Sequence, residues 1–261
     1  MRSLHVDFQR AGSDIVQAFT YNGHREKMRV IGKEDLLEPL NRSALRIARD
    51  VADAVPGNFM VSNISNTNIW DPADSAKQAE VRAMFEEMVG WAVEEGADLI
   101  IGETFYYAGE ALTALEVARA SGLPVVLTLA PMAFEGMADG VGVVETAQQL
   151  EQAGADVVGL NCFRGPETIM PWLRQIREKV SCHVGALPIP YRTTLRSPPS
   201  STCPMCEPPC RPPRTHVPDG AGSPVHQPLR ARRLGCGGAR ARHQLSGRLL
   251  RSLAHAHPPG G

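Results

Sequence analysis

The 261-residue sequence lacks any apolar run close to the roughly 20 residues that a membrane-spanning helix needs. Its first seven residues also lack the apolar segment of a secretory signal. From these absences we expect no helical membrane anchor and no secretion. We therefore expect a cytosolic protein without a membrane partner.

Two further absences narrow the fold and the cysteine chemistry. No Gly-x-Gly-x-x-Gly follows a predicted first strand, so a dinucleotide-binding fold loses support. Without a secretory signal, the six cysteines are better explained by thiol chemistry or metal binding than by disulfides. Cys182, at a predicted helix-to-strand junction, is expected only to pack against its neighbours.

Charge is unevenly distributed along the chain. The net charge of the whole chain is −1. Residues 195–261 hold ten arginines, no lysine and only two acidic residues, Glu207 and Asp219, which gives this segment a net charge of +8. Residues 1–194 therefore carry a net charge of −9. A basic tail can serve as a nucleic-acid arm. This one is rich in Pro, Arg and Gly without apolar periodicity, which predicts a disordered tail. We predict a folded domain over 1–194, an unfolded tail over 195–261 and no nucleic-acid partner.

Alternating strand and helix patterns fill the predicted domain. Helical periodicity recurs at about 34–55, 75–95, 107–121, 143–153 and 166–180. Short runs rich in Val and Ile predict buried parallel strands at 14–19, 59–64, 98–103, 124–129, 155–162 and 183–188. Similar Gly-x-Asp turns precede several of these strands, as a helix C-cap glycine would. The pattern fits a doubly wound sheet or a (β/α)8 TIM-type barrel, and the missing dinucleotide motif favours the barrel.

The predicted barrel is incomplete. The sequence begins inside what resembles the end of a helix, and no strand pattern appears beyond about residue 225. Closing a barrel requires a full set of strands. We therefore expect the first and eighth strands to be missing or altered.

Polar residues at the carboxyl ends of the strands form the active sites of such barrels. Glu103 ends the third predicted strand, where it could hold a substrate ammonium group or cap the next helix. Cys162 ends the fifth, and it could be a metal ligand, a packing thiol or a nucleophile. No His ends a neighbouring strand, which disfavours a Cys-His nucleophile. The other predicted strand ends are 19–22, 63–67, 130–132 and 188–191.

Three motifs carry a family resemblance that extends, in order, over about residues 1–194. Residues 17–28 (QAFTYNGHREKM), 102–105 (Gly-Glu-Thr-Phe) and 158–162 (Val-Gly-Leu-Asn-Cys) resemble the homocysteine S-methyltransferase family. The first is most similar to its betaine-homocysteine branch. The resemblance implies methyl transfer from betaine, or a related donor such as S-methylmethionine, to L-homocysteine, giving methionine.

Site residues follow from the resemblance position by position. It implies Zn2+ as cofactor, with Cys162 as the first metal ligand and Glu103 binding the homocysteine amino group. It assigns Tyr21, Asn66 and Asn161 to substrate binding. It does not distinguish a monomer from a homo-oligomer.

The sequence also departs from the family pattern. The family's other zinc ligands are adjacent cysteines in the eighth strand, and no Cys-Cys pair occurs here. The tail instead has Cys203, Cys206 and Cys210, with His216 further on, a spacing known from zinc knuckles. We hypothesise a reading-frame shift near residue 195, because Leu249-Leu250-Arg251 can encode Cys-Cys-Gly one base later. The alternative function is therefore an inactive remnant of such an enzyme.

Overall fold

The computed structural model describes residues 1–131 and 136–189. Its strands are Ile15–Gln17 (β1), Phe59–Ser65 (β2), Leu99–Phe105 (β3), Val125–Leu129 (β4), Val157–Asn161 (β5) and His183–Leu187 (β6). Its helices are Arg2–Arg10 (α1), Arg25–Val30 (α2), Leu37–Asp53 (α3), Ser75–Glu94 (α4), Ala108–Ala120 (α5), Val143–Gln152 (α6) and Pro166–Lys179 (α7). All six predicted strands and all five predicted helices are therefore confirmed.

The six strands form one parallel sheet in the order β1-β2-β3-β4-β5-β6. A doubly wound sheet would reverse its strand order at a switch point, and this sheet does not. The sheet is also curled. Side chains of Gln17 on β1 and Asn161 on β5 both reach Glu103 on β3, each across an intervening strand. The sequential order of the strands and the curvature of the sheet together define part of a (β/α) barrel, as predicted.

The predicted Gly-x-Asp turns have a defined geometry. Gly96 and Gly154 adopt positive φ angles of 76° and 97°, which glycine accommodates without strain. The following aspartates then cap the start of the adjacent strand. Asp98 accepts a hydrogen bond from the Met60 amide at 2.6 Å, and Asp156 accepts one from the Val125 amide at 2.8 Å. Each turn therefore sets the register of two neighbouring strands.

The core lies between the sheet and the helices on its outer face. Met60 and Ile64 on one face of β2 and Val61 on the other are all fully buried, which agrees with strands covered on both faces. Phe85 of α4 packs edge-on against Phe105, with ring centroids 6.0 Å apart. β6 lies at an edge of the sheet that the described residues form, and Leu187 on it is 52% exposed.

Two local features differ from the sequence prediction. Residues 25–30, assigned to no helix, form the short helix α2, whose N-cap His24 accepts a long hydrogen bond from the Lys27 amide at 3.4 Å. The helix predicted from residue 34 begins as a 3-10 turn over Glu34–Leu36 before α3. The tail lies outside the described residues, and so does the region beyond about residue 225 where an eighth strand was expected to be missing or altered. Within the described ranges, no helix combines the length and apolarity needed to cross a membrane.

Candidate functional site

Glu103 lies on the concave side of the curled sheet, near the carboxyl ends of the strands. Its Oε1 accepts hydrogen bonds from Gln17 Nε2 at 3.0 Å and Asn63 Nδ2 at 2.5 Å. Its Oε2 lies 3.4 Å from Asn161 Nδ2, a longer contact. Three neutral amides thus orient one carboxylate, and neither of its oxygens contacts a cationic side chain of the described residues. Such a carboxylate keeps its negative charge available for a ligand.

The backbone beside Glu103 is irregular. The register of β3 against β4 shifts between Gly102 and Phe105, and Thr104 has a φ angle of 67°. This conformation is unfavourable for a β-branched residue. Asn161 stabilises it from β5, accepting from the Thr104 amide at 3.0 Å and donating to Thr104 Oγ1 at 2.8 Å. The bulge redirects the end of β3, as bulges near active sites often do.

A second polar group surrounds Tyr21 and Asn66. Tyr21 Oη lies 3.4 Å from Asn66 Oδ1, and Tyr106 Oη donates to Asn68 Oδ1 at 2.9 Å. Burial raises the pKa of Tyr21, and the adjacent Glu103 and Cys162 contribute in the same direction. Tyr21 therefore stays a neutral phenol near pH 7 and lies between the Glu103 carboxylate and the Asn66 loop.

Cys162 follows Asn161 directly at the end of β5. It has a positive φ of 57°, as does Phe163 at 46°, and its amide donates to the Leu187 carbonyl at 3.1 Å. Its side chain is partly exposed. Backbone strain of this kind concentrates at functional sites. Cys182, by contrast, packs partly buried against the core, and burial raises the pKa of its thiol to about 11.

The described residues do not fit a zinc site by themselves. Catalytic zinc commonly has three protein ligands, whereas residues 1–131 and 136–189 bring no three His, Cys, Asp or Glu side chains together. Cys162 is a single thiol. The tail cysteines and His216 lie outside the described residues, as do Met132 and Tyr191 of the predicted strand ends.

The structure adds two charged residues that the sequence analysis did not single out. Glu110 on α5 is fully buried, and its Oε1 accepts from the Thr67 amide at 2.7 Å and from Thr67 Oγ1 at 2.6 Å. Its Oε2 has no hydrogen-bond partner within the described part of the chain. Lys27 places Nζ 4.2 Å from the centroid of the Tyr21 ring and 3.5 Å from Ser65 Oγ. Lys27 lies inside the 17–28 motif, but only the fold shows that it reaches the strand ends.

Consecutive parallel β/α units, with a cluster of polar side chains at the carboxyl ends of the strands, define a partial (β/α) barrel. In enzymes with this fold the active site lies at that end of the strands. The family described as homocysteine S-methyltransferase matches residues 1–196. The chain therefore belongs to the homocysteine S-methyltransferase family, as the resemblance indicated. The match ends close to the boundary predicted after residue 194.

Individual relatives agree with this assignment. The chain is 32% identical over 203 residues to betaine-homocysteine S-methyltransferase 1 of Xenopus tropicalis, covering 74% of this chain and 49% of that protein. It is 31% identical over 178 residues to S-methylmethionine-homocysteine S-methyltransferase BHMT2 of Rattus norvegicus, covering 68% and 47%. The chain thus spans about half the length of these curated relatives.

A solved structure has a similar fold. The metallated form of the homocysteine methyltransferase MmuM from Escherichia coli superposes with a TM-score of 0.63 over 71% of this chain and 70% of that one. Because the sequences are 17% identical, this likeness concerns the fold alone.

Proposed function

We propose that this chain binds L-homocysteine and transfers to it a methyl group from betaine or a related cationic donor. The observation that carries the proposal is the Glu103 carboxylate, held by three amides at the carboxyl ends of the strands. Family membership supplies the reaction class. The relatives' names supply the two donors considered, betaine and S-methylmethionine.

Glu103 is proposed to bind the homocysteine ammonium group. A carboxylate already fixed by neutral donors can accept from an ammonium without rearranging, so it orients the amino acid at little entropic cost. Asn161 fixes both Glu103 and Thr104, whereas Tyr21 and Asn66 line the adjacent wall. In this arrangement the homocysteine sulfur would extend along the strand ends towards Cys162.

The proposed reaction is a direct methyl displacement. The homocysteine thiolate attacks a methyl carbon of betaine, the new carbon-sulfur bond forms as the carbon-nitrogen bond breaks, and the nitrogen keeps the bonding electron pair. The products are methionine and dimethylglycine, and the thiol proton goes to solvent. A thiol of pKa about 8.5 is mostly protonated at neutral pH, so lowering that pKa would speed the reaction.

Zinc dependence is the finer part of the proposal. With Cys162 as one ligand, the remaining ligands would have to come from outside the described residues, because these contain no metal-binding group. Metal content of the purified full-length chain therefore tests this part directly. Stoichiometric zinc in the wild type, lost in Cys162→Ser, is the expected result. A metal-free wild type would contradict it.

Glu103→Gln is the test of substrate binding. The change keeps the shape but removes the charge, and we expect homocysteine affinity, measured by isothermal titration calorimetry, to fall about tenfold or more. Glu80→Gln on the exposed face of α4 removes the same charge away from the site and should bind like the wild type. Equal affinity of all three proteins would contradict the assignment of Glu103.

An inactive remnant is the alternative, and the missing metal-binding group among the described residues favours it. Both candidates allow homocysteine binding. They differ in methionine formation from betaine or S-methylmethionine, which only the enzyme performs. A wild-type chain that binds homocysteine but contains no zinc and forms no methionine would establish the remnant.

A further inference from the structure

Lys27 is a half-buried cation at the edge of the candidate site, and no carboxylate of the described residues makes a direct ion pair with it. Among the described residues, no carboxylate oxygen lies within 4.0 Å of its Nζ. Its contacts are instead the face of the Tyr21 ring at 4.2 Å and the Ser65 hydroxyl at 3.5 Å. Neither of these contacts neutralises a positive charge. Most buried ammonium groups are paired.

The position of this ammonium relates it to the proposed substrates. Ser65 is the last residue of β2, and it pairs in register with Glu103 of β3. The ring of Tyr21 contacts the ammonium, and its hydroxyl lies 3.4 Å from Asn66 Oδ1. Lys27 and Glu103 therefore present opposite charges at the same end of the sheet, with Tyr21 between them.

The surroundings of Lys27 weaken its charged form but do not abolish it at pH 7. The groups that face it are the neutral phenol of Tyr21, the neutral imidazole of His24 on the N-terminal side of α2, and the buried carboxyl of Glu110 on α5. Burial lowers the pKa of Lys27 to about 8, and Glu110 opposes that shift. The ammonium form still dominates at pH 7.

We propose that Lys27 binds the carboxylate of the methyl donor. This inference rests on the proposed function, and it assigns donor specificity to a residue outside the predicted site. A zwitterionic donor such as betaine carries its carboxylate one methylene from its quaternary nitrogen. Lys27 would hold the carboxylate end, leaving the methyl groups directed towards the homocysteine sulfur beside Cys162.

Choline is the matched probe, because it has the same trimethylammonium group as betaine and a hydroxyl-bearing arm in place of the carboxylate. Binding of betaine and of choline to the full-length chain, in the presence of L-homocysteine, is measured by ligand-observed NMR. We expect the wild type to prefer betaine by about tenfold or more, as a charge-assisted contact allows. Lys27→Met should weaken betaine binding to the level of choline and leave choline binding unchanged.

Two further variants distinguish a loss of the positive charge from a general effect of substitution on the fold. Lys27→Arg keeps the cation and should retain a preference for betaine, whereas Lys33→Met removes an exposed lysine outside the site and should behave like the wild type. If Lys27→Met fails to fold, a titration of the wild type takes its place. Betaine affinity should then fall as the pH rises through about 8, and choline affinity should not follow it.

The outcomes distinguish this inference from the proposed function. Betaine binding that is tight in Lys27→Met, or equal losses for betaine and choline, would overturn the role of Lys27 and leave methyl transfer standing. A wild-type chain that binds neither homocysteine nor betaine would overturn both.

Discussion

Asn161 controls the most strained residue of the candidate site. Its side chain satisfies both the amide and the hydroxyl of Thr104, which has a φ angle of 67°. Replacing it with alanine leaves the buried Thr104 amide without its partner, which typically costs about 1–3 kcal/mol. We expect Asn161→Ala to lower the free energy of unfolding in urea by that amount and to weaken homocysteine binding.

Asn58→Ala is the control for this prediction. Asn58 likewise bonds the backbone through its side chain, donating to the Ser13 carbonyl, but it lies just before the amino end of β2, away from the carboxyl ends of the strands. Its removal should leave homocysteine affinity unchanged. Asn161→Ala with wild-type affinity would show that the Thr104 bulge does not contribute to the site.

His24 makes stability depend on pH. Burial lowers its pKa to about 4, and the positive charge of Lys27 acts in the same direction. Above pH 6.5 the imidazole is neutral in both the folded and the unfolded chain. As the pH falls from 6.5 towards 4, only the unfolded chain gains the proton, so folding stability decreases by up to about 3 kcal/mol.

His24→Asn removes this titration and keeps a side chain that favours the N-cap of α2. The variant should therefore lose less stability than the wild type between pH 7 and pH 4.5, measured by urea unfolding at each pH. Glu110 titrates in both proteins, so its contribution cancels in the comparison. Parallel pH profiles would contradict a buried neutral His24.

At the scale of individual residues, only part of the candidate site could be predicted from the sequence. Glu103 and Cys162 were identifiable because each ends an apolar run, and strand ends meet in a barrel. Their binding roles remain predictions. Lys27 and Glu110 were missed because their position depends on contacts between residues distant in sequence, such as Glu110 with Thr67. Contacts of this kind cannot be inferred from the local sequence pattern.

At the scale of elements, the turn aspartates are structural residues. Asp98 accepts from the Met60 amide at 2.6 Å and from Arg49 at 2.9 Å. Asp98→Ala leaves the amide of fully buried Met60 unpaired, so we expect a loss of about 1–3 kcal/mol of unfolding free energy. Asp98→Asn keeps an acceptor and loses only a partly exposed ion pair, so it should cost less than about 1 kcal/mol. Equal losses would refute the capping role.

Most elements were predictable, because helix and strand periodicities differ and each β/α unit repeats both. The helix α2 was missed for a definite reason. It has six residues, too few for a periodic pattern to emerge, and a buried histidine rather than a common capping residue begins it. The bulge at Thr104 was also not predictable, since residues 102–105 read as ordinary strand.

At the scale of the whole molecule, the predicted domain boundary after residue 194 is testable by limited trypsin digestion. The segment 195–261 contains ten arginines. If that segment does not fold, the first cuts should fall within it and leave a resistant product that ends near Arg196, the first arginine of the segment, identified by mass spectrometry. Early cuts within residues 1–180 instead would contradict the boundary. Intact mass and resequencing of the gene would decide separately whether the tail arises from a shifted reading frame.

The amide contacts of Glu103 have a mechanical consequence. The hydrogen bonds from Gln17 and Asn161 to Glu103 each span one intervening strand. Their lengths therefore depend on how strongly the sheet is curved. Flattening the sheet would pull both amides away from the carboxylate. A ligand that binds Glu103 would add a further bond to the same point and resist flattening. If homocysteine is that ligand, as proposed, its binding would make the curled sheet stiffer.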